Sequence, residues 1–193
     1  MPRVKQFNED KVLKKAMELF WKKGYNATSM QDIVDCLGIN RASLYSTFGG
    51  KKKLFDKSLS LYCSIHQKEA KQFLEKQNHI KEGIRNVFEM LIGKKGQTND
   101  MRGCFTVNSI NEVAHENLYV NELLTMNKIF YETLFHDFLE KGQRNGEISK
   151  DKDIKIVAFL LFTLFNGIKT VSKLEKDNSK LFDSIDNILK LLD

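Results

Sequence analysis

The chain has 193 residues, 41% of them hydrophobic, and a formal net charge of +6 at pH 7, enough to bury a real core in one or two small domains. Three cysteines without a CxxC or a close pair suit a reducing cytosol better than a cross-linked secreted protein, and no apolar run of a signal peptide opens the chain. The charge is uneven: residues 1–53 hold 11 Lys and Arg against 5 Asp and Glu, while residues 54–193 hold 20 of each, so the whole excess sits where a polyanion would be met.

A single proline, Pro2, and almost no strict apolar/polar alternation make the class all-α. Residues 1–7 form a short basic arm with Arg3 and Lys5 that either frays or reaches a minor groove. Residues 8–23 read as a first helix with Leu13, Ala16, Leu19 and Phe20 on one face, Trp21 packing beside it and Gly24 ending it.

The stretch Thr28–Lys53 then reads as two short helices and the head of a third. Ser29 and Asp32 have capping-box spacing ahead of Ile33, Val34 and Leu37, Gly38 supplies the positive φ that stops the helix, and Ile39 anchors the turn. Asn40 caps the second helix, RASLYSTF, which Gly49-Gly50 terminates. Two short helices with a Gly-containing turn of this length form a helix-turn-helix. On the second, Leu44 and Phe48 face the core while Arg41, Ala42, Ser43, Tyr45 and Thr47 project elsewhere.

A helix entering the major groove needs small residues for close approach and a few donors for bases and phosphates, and this set supplies both. Arg41 is the candidate for a bidentate contact to guanine, Ala42 and Ser43 allow close approach, and Tyr45 can reach a phosphate. Lys51, Lys52 and Lys53 open the next helix against its dipole, costing roughly 0.3–1 kcal/mol each unless an anion is near; a phosphate there reverses the sign. GGK is not a P-loop, because the earlier glycine is missing and no Ser or Thr follows Lys51.

From about Lys11 to Phe55 the chain resembles the TetR-type transcriptional regulators: LFWKKGYNATSMQDI, LGINRASLYSTF and FGGKKKLF follow that family's spacing throughout. The family often has Gly or Pro at the Ala42 position and Ser or Thr at the Asn40 position, departures that leave the operator sequence open. The resemblance implies phosphate contacts from Thr28, Tyr45 and Lys51, with Asn40, Thr47 and Lys52 beside them, and base contacts from Arg41, Ala42 and Ser43. It implies a helix-turn-helix domain at 1–53 and a helical effector-binding and dimerisation domain at 54–193, about nine helices in all.

A long helix from Lys51 to about Gln77 carries Leu54, Phe55, Leu59, Tyr62, Ile65 and Phe73. Residues 80–93 make a fifth helix with Ile84, Val87, Phe88 and Leu91, and 93–103 an exposed, mobile loop. Residues 104–116 read as a short helix with Phe105, Val107 and Ile110 apolar, and 119–144 as a long aromatic one closed by Asn145-Gly146. Ser149 or Asp151 caps the next, about 152–172, which is apolar nearly all round and so wants a partner for its second face. The last, about 177–191, has one stripe: Leu181, Ile185, Ile188 and Leu192. Paired with Leu160, Leu164 and Ile168 across two chains, that stripe predicts a two-fold homodimer with a four-helix seam. The most apolar run, Ile156 to Phe165, is about half the roughly 20 residues that span a bilayer, so no membrane partner is expected.

By fold analogy helices from about 80 to 172 enclose a pocket for a small, largely apolar effector, with Phe88, Cys104, Asn108, Phe130, Tyr131 and Phe162 as candidate lining; aromatics at this spacing also serve as plain core. Cys104 in RGCFTVNSINE resembles the RGC segment of one branch of the family, some members of which sense electrophiles or oxidants, against a structural role for the thiol. Cys36 and Cys63 read as small buried hydrophobes. No metal or cofactor is expected, since the four histidines form no ligand cluster, and neither a nucleophile elbow nor a dinucleotide-binding glycine motif supports an enzyme. The functions left are a repressor released from a palindromic operator by an effector, a thiol-gated version of it, or a helical scaffold or enzyme.

Overall fold

A computed structural model describes residues 7–93, 102–175 and 177–193, and places nine α-helices among them. They are α1 (Glu9–Lys23), α2 (Met30–Leu37), α3 (Arg41–Phe48), α4 (Lys51–Glu75), α5 (Ile80–Ile92), α6 (Phe105–Glu112), α7 (Leu118–Asn145), α8 (Ile154–Val171) and α9 (Ser179–Leu189), the last followed by a 3₁₀ turn, Lys190–Leu192. The all-α class and the helix count follow the sequence expectation. The basic arm at 1–6 and most of the proposed loop, 94–101, lie outside the described residues.

Helix ends obey local chemistry. Asn8 caps α1, accepting from the Lys11 N–H at 2.9 Å, and Ser29 and Asp32 close the reciprocal capping box on α2. Gly38 ends α2 in the left-handed conformation, φ 67°, which a side chain would strain. The cap of α8 is Asp153, not Ser149 or Asp151: its carboxylate accepts from the Lys155 and Ile156 N–H groups. Ser149 and Asp151 sit too far back in the turn to reach that helix start.

The chain divides into two compact units. The first comprises Met1–Ile65 and Cys104–Leu124. Its core gathers Phe20, Ile33, Leu37, Leu44, Leu54, Phe55 and Leu59 with Phe105, Val113 and Val120 from the later segment. The Phe55 ring meets the rings of Phe20 at 5.2 Å and Phe105 at 5.6 Å, both edge-on. Burying a side chain such as Phe105 contributes roughly 1.5–3 kcal/mol. On α1 the buried residues are Val12, Ala16, Met17 and Phe20, with Leu13 and Leu19 half-buried, so the inner face is rotated from the expected one. On α6 Thr106 and Ser109 are buried with Phe105, whereas Ile110 is exposed, because the short helix rests on its first turn.

The second unit comprises His66–Gly103 and Thr125–Asp193. α5, α8 and α9 pack together there, and Phe88, Phe135, Leu139, Leu161, Phe165 and Ile185 fill the core. This corrects the expected dimer face. Ile168 (1% exposed), Leu181, Ile185 and Leu192 are buried within their own chain, since the single stripe of α9 is used against α5 and α8. Leu160, Leu164 and Ile188 are half-buried, and the strongly exposed apolar residues of α8 are Ile156 and Phe159. α8 is longer than its most apolar run suggested: at 18 residues with mean hydropathy 1.7 it could cross a bilayer by length and composition, yet six of its residues are buried inside the unit.

Candidate nucleic-acid interface

α3 is an eight-residue helix held from below. Leu44 and Phe48 are buried against the first unit's core, which turns Arg41, Ala42, Tyr45 and Ser46 to solvent and leaves Ser43 and Thr47 half-buried. The Asn40 side-chain oxygen accepts from the Ser43 N–H at 2.8 Å, so that group starts the helix and its carbonyl oxygen is committed. Ser46, exposed one turn beyond Ala42, belongs to the same surface; its spacing of four from Ala42 is the signal that finds it.

The start of α4 completes the surface. Gly50, at φ +96°, would carry a side chain only under strain, since a Cβ there would stand 2.8 Å from the Tyr45 ring, which packs on this backbone while the residue stays 57% exposed. Lys52 and Lys53 are exposed and Lys51 is half-buried, its Nζ 4.4 Å from the centroid of the Tyr25 ring. Burial pulls the Lys51 pKa down, and Glu112 and Asp32 push it back up. A phosphate arriving here would restore the charged form's lost solvation while meeting the open N–H groups of a helix start.

Two assigned residues are elsewhere. Thr28 is fully buried and its hydroxyl donates to the Gly24 carbonyl at 2.5 Å, so its side chain ties down the turn before α2 and cannot reach a phosphate. Cys36 is exposed, because α2 turns only Ile33 and Leu37 fully inward. Two polar links in this unit gave no sequence signal. The Glu112 carboxylate on α6 accepts from the Tyr25 and Asn26 N–H groups, and Asn117 donates to Asp56 at 3.0 Å. Each joins residues more than 60 positions apart, beyond the reach of any local pattern.

The candidate effector residues are divided between the two units. Cys104 and Asn108 belong to the first unit, where Cys104 is buried with its sulfur 3.0 Å from the Thr106 hydroxyl and within 3.9 Å of the Tyr62 hydroxyl, while Asn108 is exposed. Phe88, Phe130, Tyr131 and Phe162 belong to the second. There Phe88 and Tyr131 pack on Phe165 at 6.3 and 5.1 Å, and Phe130 meets Tyr131 edge-on at 5.5 Å. Among the described residues no group of three or more His, Cys, Asp or Glu side chains could hold a metal ion.

Known proteins share this organisation. Residues 12–57 match the model for bacterial regulatory proteins of the tetR family, and residues 81–186 match that for the tetracyclin repressor-like C-terminal domain. The chain is 30% identical to the HTH-type transcriptional regulator YezE of Bacillus subtilis (strain 168), with all of both chains covered. It is 27% identical to the HTH-type transcriptional repressor ComR of Escherichia coli (strain K12), over 98% of this chain and 90% of ComR. In fold it is similar to the TetR family regulator CifR, solved in complex with a 26 bp operator DNA, at a TM-score of 0.84 and 24% identity over 97% of this chain and 98% of that one. The helix-turn-helix surface, the matches to both halves and the full-length likeness to YezE together place the chain in the TetR family of DNA-binding transcriptional regulators.

Proposed function

We propose that the protein is a homodimeric repressor that grips an inverted-repeat operator through α3 and leaves it when a small, largely apolar effector binds. The observation that carries the reading is the exposure of Arg41, Ala42 and Tyr45 on a helix fixed from beneath by Leu44 and Phe48, with three lysines at the next helix start. In this reading residues 1–53 carry the DNA-binding surface, residues 54–65 and 104–124 complete the core beneath it, and the second unit, within 54–193, is the effector and dimer body. Arg41 contacts a base, Ala42 and Ser43 let the backbone close on the groove, and Tyr45, Thr47, Lys51 and Lys52 meet phosphates. ComR, a full-length relative, is a named repressor, and CifR was solved on operator DNA.

The dimer face we assign to α8, whose exposed Ile156 and Phe159 leave an apolar strip beside the half-buried Leu160 and Leu164. Two-fold pairing sets two α3 helices about one DNA turn apart, roughly 34–36 Å, which calls for half-sites in inverted repeat. The effector site we place in the second unit around Phe130, Tyr131 and Phe162. An effector shifts the balance only by its differential affinity for the two states. Cys104 is buried against Tyr62 and Thr106, a setting that favours a structural thiol over a trigger.

Selection of bound duplexes from random-sequence DNA, followed by titration of variants, tests the assignment. Arg41→Ala should cost about 1–3 kcal/mol at one base position and relax preference there, and Lys51→Ala should weaken all sequences alike and reduce the salt slope by about 1. Intact site selectivity in Arg41→Ala would reject the base contact.

A further inference from the structure

Glu112, the last residue of α6, reaches the turn between α1 and α2 with both carboxylate oxygens. Oε2 accepts from the Tyr25 N–H at 3.0 Å and Oε1 from the Asn26 N–H at 2.7 Å. Two successive backbone N–H groups converging in this way form a nest that favours an anion, and the chain fills it with a carboxylate from 86 and 87 residues away. Gly24 makes the approach possible: at φ +83° it has no Cβ, and one placed there would lie 3.0 Å from both Glu112 oxygens. The residue so held, Tyr25, packs its ring edge-on against Phe55 at 4.9 Å and presents it to the Lys51 ammonium. A second tie, from Asn117 to Asp56, fixes the segment after α6 to α4, the helix that Lys51 begins.

We propose that Glu112 is a positioning residue for DNA binding: by fixing the Tyr25–Asn26 backbone it sets the ring on which Lys51 rests, and so aims that ammonium at a phosphate. The inference rests on Lys51 being a phosphate contact. A glutamine at 112 keeps one acceptor and loses the charge, so it fills the nest only in part. An alanine leaves both N–H groups to water and the Tyr25 ring without its backbone anchor.

The test uses the intact protein and a duplex selected by it from random-sequence DNA, with affinity measured by fluorescence anisotropy across a range of KCl concentrations. Glu112→Ala should weaken binding roughly three- to tenfold and lower the salt slope by about 0.9 per head, the signature of one lost phosphate contact, while base preferences stay unchanged. Glu112→Gln should fall between. In a Lys51→Ala background, Glu112→Ala should change affinity less than about twofold, because the two act on one contact. A merely structural carboxylate would instead give the same fold-loss in both backgrounds, and that result overturns the proposal. Slow exchange of the Tyr25 and Asn26 amides in the unaltered protein is expected whatever the variants do, and exchange at unprotected rates overturns it too. An unchanged salt slope in Lys51→Ala alone rejects the phosphate contact and the route with it. A reduced slope in Lys51→Ala that adds in full to Glu112→Ala rejects only the part given to Glu112.

Discussion

The Lys23 ammonium stands 2.6 Å from the Asp32 carboxylate, which already accepts from the Ser29 N–H and hydroxyl and thereby closes the cap on α2. Lys23 foremost, and Ser29 after it, hold the Asp32 carboxyl well below the usual carboxylate range. Asp56 is displaced the other way: burial raises it, against the lowering effect of Asn117 and Lys52. A depressed folded pKa contributes stability above the ordinary value of 3.8 and loses it as pH falls through the folded value. A raised one costs stability at neutral pH, a cost relieved as pH falls toward 3.8. Asp32→Asn should therefore lower the melting temperature at pH 7 and flatten its acid fall-off. Asp56→Asn should raise the melting temperature at pH 7, with the gain vanishing near pH 4. Thermal melts from pH 2 to 7 decide both signs.

Thr28 offers a clean separation of fold from DNA contact. Thr28→Val keeps the shape and deletes the donor to the half-buried Gly24 carbonyl, at a cost of about 0.5–1.5 kcal/mol, the net worth of a typical hydrogen bond. Urea unfolding should show that loss, and the salt slope of DNA binding should stay at the wild-type value. A slope reduced by about 1 would mean that the hydroxyl meets a phosphate after all.

Gly50→Ala strains a backbone at φ +96° and drives a methyl into the Tyr45 ring. The expected outcome is a loss of roughly 1–2 kcal/mol in stability from the left-handed backbone alone. Operator affinity should fall beyond what Tyr45→Phe causes, because the whole ring moves and not just its hydroxyl. Chemical denaturation and gel shifts on the two variants check this.

Phe159→Glu puts a charge on the exposed strip of α8 without touching the buried core. Sedimentation at micromolar concentration should show a shift from dimer to monomer. Binding to an inverted repeat should drop at least about tenfold, while each single head keeps its weak affinity for a half-site. A variant that stays dimeric would move the interface off α8.

What could be read in the sequence was local, and what could not was distant. The Ser29–Asp32 box, Gly38, Asn40 and Gly49 act within four residues of themselves, and the helix-turn-helix follows from them directly. The resemblance implied a phosphate contact from Thr28, whose hydroxyl instead donates to the carbonyl of Gly24, a turn-forming contact that pattern alone does not reveal. Three oxygen-bearing residues, Ser149, Asp151 and Asp153, compete to cap α8, and only the path of the turn after Gly146 decides for the last. The stripe on α9 showed that one face is covered, but periodicity cannot say by whom; α5 and α8 of the same chain supply the cover. Glu112 and Asp56 lie beyond any window, since Glu112 binds a turn made 86 and 87 residues earlier, and the partner of Asp56, Asn117, comes 61 residues later.

That late arrival governs how the head folds. Phe55 and Tyr62 each meet the edge of Phe105, at 5.6 and 5.5 Å, and Val113, Val120 and Leu124 belong to the same apolar cluster. A ribosome that has released only the first 65 residues has therefore delivered three correctly capped helices around an unfinished interior. Such a nascent chain keeps greasy side chains open to water, or to a chaperone, until residue 124 emerges. A truncated head expressed on its own inherits the same gap, and transplanting it onto another body demands that the Cys104–Leu124 segment travel with it.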